Sequence, residues 1–406
     1  MCFVTVPHPL GMISKEEVNA KVDTAFDDIV KAATAWTPSK EKQDAQVKPY
    51  PAKRFKFSGT YADVNDMFQK RKWSLSLPIV PPTVDKVAAM LKGTKRNPAE
   101  VLWVVPPRQG MLTVELVAAL GVMAGAKPEH MPLLIATVEA MADPVAAWRG
   151  PTTTTAATVP VFFISGPIIE KLKLNPGTGT AGGENPVTNA LGYFVNLVGD
   201  VVGGSVPPNF DKSTHGSSAD LVAMVFTENA KENPWKTTYA EEAGFKPSDS
   251  IVTHFSAYLG NANIDHDSKT GQRLLTTLST GLLGSASGLA SCLADYDATY
   301  AINNKVSFAF IVLCPEHAAT IAKDFPDQRA ARDFMRETAA MPYKFYSQET
   351  CVPGKDFGPY DENTFIPRFK KTESIKFFVS GGPGKQSQIW VPFPQVFKPV
   401  SKKIAE

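Results

Sequence analysis

The chain has 406 residues, 43% of them hydrophobic and 10% aromatic, which is ample for packed cores and excludes a disordered tail. Lys plus Arg number 42 against 40 Asp plus Glu, so the net charge of +2 gives no electrostatic case for nucleic acid or a membrane surface as partner. Cys2, Cys292, Cys314 and Cys351 stand far apart with no CxxC pair, which excludes a zinc ribbon or disulfide scaffold and fits reduced thiols in a cytoplasm.

The start, MCFVTVPHPLGMISKEE, lacks a basic stretch followed by a long apolar run, so no signal peptide is expected and a cytoplasmic location is. Residues 1–57 read as an N-terminal arm with one helix around Val18–Ala33; an α/β domain is expected over 58–245 and a second over 246–406. Helical spacing returns at Tyr61–Arg71 and at Val84–Leu91, the latter with Thr83 as cap. VLWVVPP, Val101–Pro107, is a continuous apolar run stopped by prolines and predicts a strand buried on both faces. Helices are expected at Thr113–Gly125 and Met131–Ala142, then a second buried strand at Val159–Gly166.

The rhythm continues with apolar runs at Leu221–Thr227, Ile251–Tyr258, Val306–Leu313 and Ile375–Ser380. Helical stretches at Pro186–Val198, Gly271–Leu283 and Arg329–Ala339 alternate with them. The alternation predicts an α/β fold with a mainly parallel sheet and helices on both faces. Two uncharged stretches reach spanning length, Gly150–Ile169 and Leu274–Ala294. Three prolines in the first and ten Ser, Thr or Gly among the 21 residues of the second argue against a membrane span. PEH at Pro128–His130 followed by FFISGP at Phe162–Pro167 is echoed by PEH at Pro315–His317 followed by FFVSGGP at Phe377–Pro383. The echo would fit two related halves with His130 and His317 in corresponding places, and equally a chance likeness of short turns.

In a parallel sheet the loops leaving the strands' carboxyl ends build the site, which directs attention to five segments: PPRQG, the glycines after SGP, TENAKENPW, CPEHA and SGGPGK. GTGTAG, Gly177–Gly182, satisfies GxGxxG, but no strand runs directly into its first glycine, so NAD or FAD is disfavoured. Its amides would line a cavity or anion site, or simply shape a loop. SGGPGK, Ser380–Lys385, would form a nest of amides with Lys385 as point charge, or a tight strand exit. CPEHA places Cys314, Glu316 and His317 at a strand exit. Pro315 reads as the first residue of a helix, so Cys314 would stand where the dipole lowers a thiol pKa, unless it is one of the many inert buried cysteines. His254 in IVTHF would project from a sheet face as acid, base or ligand, or be a core histidine. The carboxylate-rich IDHD turn around His266 would hold a cation or, as most Asp-rich turns do, be solvated, and His215 in DKSTHGSS would sit in a lid loop or, more simply, in solvent. No metal motif and no GxSxG elbow is present, so a metal is unsupported and the cofactor stays open.

NDMFQKRKWSLSLPIVPPTVDKVAAML, VVPPRQGMLTVELVAALGVMAGAKPEHMPLLIATVEAM, ISGPIIEKLKLNPGTG, FTENAKENPWKTTYAEEAGFKPSDSIVT, VLCPEHA and SGGPGK together resemble a large bacterial family associated with UGSC-type selenocysteine or cysteine proteins. The resemblance spans about Asn65–Lys385. It implies a cytoplasmic metabolic enzyme or enzyme subunit connected with thiol or selenol chemistry. It also implies a pocket drawn from Asn175, Gly177, Gly179, Glu228, Asn229, Trp235, Glu316, His317, Gly382 and Lys385. The chain departs from the family at Leu75 and Ser76, where Asp-Gly is usual, and at Pro186, where arginine is common. The lost acid points to a different substrate or to the inactive partner of an active paralogue.

The first expectation is therefore an enzyme that cleaves or reduces a carbon–heteroatom bond in a small organic molecule. Cys314 would be the nucleophile or redox thiol, His317 or His254 the acid/base with Glu316 beside them, and the glycine-loop amides with Lys385 the anion holder. The alternatives are a non-catalytic subunit supporting a paralogue, and a metal-dependent hydrolase or lyase using His254, Glu228 and His317. A homo-oligomer, or a hetero-oligomer with the paralogue, is expected.

Overall fold

In a computed structural model of the chain, the described residues are 4, 13–35, 50–206, 214–258, 260–284, 308–346, 361–393, 396 and 398–405. Residues 1–48 and 49–406 are separate units. In the first, the helix Lys15–Thr34 opens on a capping box between Ser14 and Glu17, and Val22, Phe26, Ile29 and Val30 on it are exposed. Residues 49–57, expected as part of the arm, belong to the second unit.

Among the described residues of the second unit twelve short strands can be numbered: β1 Val101–Val105, β2 Gly110–Thr113, β3 Thr158–Ser165, β4 Met224–Thr227, β5 Ile251–Tyr258 and β6 Asn261–Ile264 in its first part, then β7 Ala309–Leu313, β8 Ala340–Pro342, β9 Phe365–Pro367, β10 Ile375–Val379, β11 Gln386–Trp390 and β12 Val400–Lys403. They build two four-stranded sheets, β12-β5-β3-β4 and β6-β11-β7-β10, and two two-stranded pairs, β1-β2 and β8-β9.

The α/β class holds, but the sheets are mixed. Only β3–β4 and β7–β10 are parallel among the eight described pairings. A strand buried on both faces has the same apolar run whichever way its neighbour points, so composition does not report direction. VLWVVPP is likewise not a strand buried on both faces. As β1 it pairs, among the described residues, only with β2, with Val101 and Val104 exposed, and PPRQG is its turn.

The layers also differ from helices on both faces of one sheet. Phe162, Ile164 and Val252 on one face of the first sheet join a core with the helices Val114–Met123, Met131–Ala142 and Pro186–Asn196. In the second sheet Ile311, Phe377 and Ile389 pack against the helices Gly271–Gly284, Pro315–Asp324 and Gln328–Thr338. The other faces meet each other: Phe163 stacks on Phe310 at 4.3 Å between centroids and sits edge-on to Phe378 at 4.7 Å, and Phe226 meets Trp390 at 5.8 Å. The order is therefore helix, sheet, sheet, helix. Alternation along a strand sends successive side chains to a helix layer and to the facing sheet, which is why β3 and β7 read as unbroken apolar runs.

The two sheets share a topology. Each has a central strand (β3, β7), a parallel neighbour that follows it through helices (β4, β10) and an antiparallel neighbour (β5, β11). An edge strand contributed by the chain leaving the other sheet completes each one, β12 on β5 and β6 on β11. The halves correspond in topology, but His130 and His317 do not: His130 precedes the helix before β3, whereas His317 follows β7. The sheets also cross the expected 245/246 boundary, since β5 pairs with β3 along its whole length.

Candidate functional site

β7, Ala-Phe-Ile-Val-Leu, is fully buried and ends at Leu313. Cys314 then adopts extended backbone as the N-cap, and Pro315 begins the helix Pro315–Asp324, as the sequence predicts. His317 lies one turn in, 2% exposed. Its Nδ1 is 2.8 Å from Ser387 Oγ, and its Nε2 is 3.1 Å from the Asp265 carbonyl. The Cys314 amide donates to the same Ser387 hydroxyl at 3.4 Å. Burial works against a Cys314 thiolate, yet hydrogen bonding and charge from His317 outweigh it and hold the thiol below its ordinary value. Burial likewise works against a charged His317, and Cys314 with the Asp265 carbonyl outweighs it, raising the imidazole. Each therefore favours the other's charged form, and the ring is held between Ser387 and the Asp265 carbonyl.

Two members of this cluster, Ser387 and Asp265, were not singled out by sequence reasoning. β11 and the exit of β6 bring them in, and the lone signal was the carboxylate-rich IDHD turn. Burial opposes the Asp265 carboxylate, but donors from Thr277 and Ser268 outweigh it and place its pKa at about 2. His266 contributes only its carbonyl, to Lys385 Nζ at 2.9 Å.

SGGPGK does form a nest of amides, and the anion in it is the protein's own. Glu316 Oε2 accepts from Gly384 N at 2.5 Å and Lys385 N at 2.9 Å, which lowers its pKa. With Lys385 held by His266, this loop is no free anion holder; Glu316 and Lys385 brace the loop to the Cys314 helix.

The other flank of the loop meets β4 and the glycine segment. Ser380 Oγ donates to the Thr227 carbonyl at 2.7 Å, Asn229 N to Val379 O at 2.8 Å, and Asn229 Nδ2 to Gly381 O at 3.1 Å. Gly381 N donates to Pro176 O at 2.8 Å. Asn175 organises its own turn, accepting from Gly177 N and donating to Thr178 O. A Cβ on Gly382 would stand 2.2 Å from Thr178 Oγ1, so only glycine permits this approach, whereas Gly179 is required by its φ of 75°. The structure thus gathers Asn175, Gly177, Asn229, Gly382, Lys385, Glu316, His317 and Cys314 along one chain of loop contacts.

Three predicted residues have other roles. Glu228 is 3% exposed; its Oε1 accepts from Tyr239 N at 2.6 Å, while Oε2 and the neighbouring Ser165 hydroxyl complete no hydrogen bond among the described residues. Burial pushes this carboxyl up to about 7. Trp235 is a clamp: Nε1 donates to Phe325 O at 3.0 Å and the ring lies against Phe377.

His254 is a core residue and not part of the site. It faces the helix layer, stacked on Phe162 at 4.5 Å with Nδ1 on Val161 O, and burial drives its pKa down to about 3. Fully buried among aromatic rings, its imidazole meets no pocket or substrate. Among the described residues no three His, Cys, Asp or Glu side chains converge, so His254, Glu228 and His317 do not form a common ligand set. No described helix is long and apolar enough to cross a membrane. Comparison with protein-family models, curated proteins and solved structures finds no match to the chain.

Proposed function

We propose that the chain is a thiol-dependent enzyme that cleaves a carbon–heteroatom bond in a small organic molecule, with Cys314 as nucleophile. The observation that carries this reading is the Cys314–His317 pair at a helix N-terminus, where the dipole and the neighbouring imidazole both lower the thiol pKa. The thiolate attacks an electrophilic carbon; a C–S bond forms, the C–heteroatom bond breaks, and the leaving group takes a proton from water. The hydroxide so formed hydrolyses the C–S bond and restores the thiolate. With both ring nitrogens engaged, His317 acts as the charge partner that positions and ionises Cys314. The resemblance to the UGSC-associated family supports thiol chemistry in a cytoplasmic setting and supplies no substrate.

The test is alkylation of Cys314, followed by mass spectrometry between pH 5 and 9, together with trapping of Cys314 adducts from a panel of small thioesters, amides and activated acids. Labelling that begins well below the ordinary thiol range, shifted upward in His317→Gln, and an adduct lost in Cys314→Ser would support the reading. A Cys314 inert across this range with no adduct would overturn it.

A second reading has one observation in its favour: Cys314 is only 5% exposed and His317 has no free nitrogen, which suits a structural pair in a subunit supporting an active paralogue. Co-purification of the paralogue in native mass spectrometry, with Cys314 inert, would select it.

A further inference from the structure

A cleft of about 990 Å³ lies away from Cys314, walled by residues 50–57, the helices Tyr61–Lys70 and Val84–Leu91, the β1–β2 turn and the helix Val114–Met123. This is the upper end of the range of small-molecule sites, about 300–1,000 Å³. Its wall is apolar, and several large apolar side chains on it face water: Phe55 and Phe57 at 48% and 45% exposed, Val84 at 53% and Met111 at 37%. Leaving such a surface open is unfavourable unless something covers it.

Its charge is lopsided. Lys53, Arg54, Arg71 and Arg108 line the cleft against one carboxylate, Glu115. Glu115 is already engaged, accepting from Ala52 N at 2.8 Å and pairing with Arg54 at 3.5 Å. Among the described residues, Lys53, Arg71 and Arg108 have no carboxylate partner. Two of these cations are pre-positioned. The Arg71 guanidinium stacks over Trp73 at 4.8 Å and Phe55 at 5.3 Å. Arg108 is anchored by its amide on Gly203 O at 2.7 Å, and its side chain lies flat on Gly204, where a Cβ would come within 2.6 Å of Nε.

We infer that this cleft binds an amphipathic carboxylate, with an acyl or aryl body against Phe55, Phe57, Val84 and Met111 and its carboxylate on Arg71 and Arg108. Guanidinium forks match a carboxylate in geometry, and the apolar wall supplies burial for the remainder of the ligand. The site is independent of Cys314, and Cys314→Ser should leave it unchanged.

The experiment is isothermal titration calorimetry of the full chain with dodecanoate below its micellar concentration, with dodecanol and dodecyltrimethylammonium as controls. Saturable binding of one dodecanoate is expected, with little or none of the cationic control. Because Arg71 and Arg108 are exposed, Arg71→Gln/Arg108→Gln should fold normally and weaken binding by about tenfold or more. Ala119→Trp, placed on the cleft wall, should abolish binding. No saturable binding, equal affinity for the cationic control, or an unchanged affinity in the double variant would each overturn the inference.

Discussion

Glu228→Gln should stabilise the protein above neutral pH. The carboxyl is 3% exposed, one oxygen accepts a backbone amide, and the other completes no hydrogen bond among the described residues, so ionisation leaves a buried charge poorly satisfied. Burial moves its pKa from the ordinary 4.5 to about 7. Its folded pKa is the higher one, so between these values the unfolded chain has released its proton while the native chain holds it. Stability therefore falls as pH rises from about 4.5 to 7 and stays lower beyond. At about 1.4 kcal/mol per pH unit this span amounts to about 3 kcal/mol. Glutamine keeps the acceptor for Tyr239 and offers Ser165 a donor, without ionising. Urea unfolding of both proteins at pH 4 and pH 8 measures the effect: the advantage of the variant should grow by about 3 kcal/mol between the two. A difference that is the same at both pH values, or that moves in the other direction, would refute the argument that this carboxyl is native as the neutral acid.

His254→Phe is the counterpart at low pH: with a folded pKa of about 3 against an ordinary 6.5, the native imidazole refuses the proton that the unfolded chain accepts, and stability is lost as pH falls below 6.5. Relative to its value at pH 8, the variant should gain about 2 kcal/mol at pH 5 by denaturant titration, and a flat difference would contradict the burial of a neutral ring. Phe163→Ala removes the ring that stacks between the sheets and should cost about 3–5 kcal/mol in the same assay, whereas a cost under about 1 kcal/mol would deny the sheet-on-sheet core. Gly382→Ala, whose methyl would meet Thr178, should destabilise by about 1–3 kcal/mol and raise hydrogen exchange at the Gly381 amide on Pro176; unchanged exchange would show that the two loops do not depend on each other.

Local chemistry was legible in the chain itself. Pro315 after an apolar run and before helical spacing located a helix N-terminus with Cys314 as its cap, and the glycines of SGGPGK announced a nest of amides. Apolar periodicity found β3, β5, β7 and β10 and most of the helices, because a 3.6-residue or continuous pattern is a property of the segment alone.

What occupies the nest, and which side chains hold His317, were decided by tertiary structure. Glu316 takes the anion's place, and Ser387 and Asp265 arrive from strands about 70 and 50 residues away, separations that leave no periodic trace. The same holds for His254, whose alternation in IVTHF is identical whether it faces a pocket or Phe162. Strand direction and the sheet-on-sheet core also had to wait for the fold: a strand covered by a helix on one side and by another sheet on the other presents the same apolar run as one covered by helices on both. Its sequence records that both faces are dry, and the partners that make them dry are chosen only when the distant segments pack.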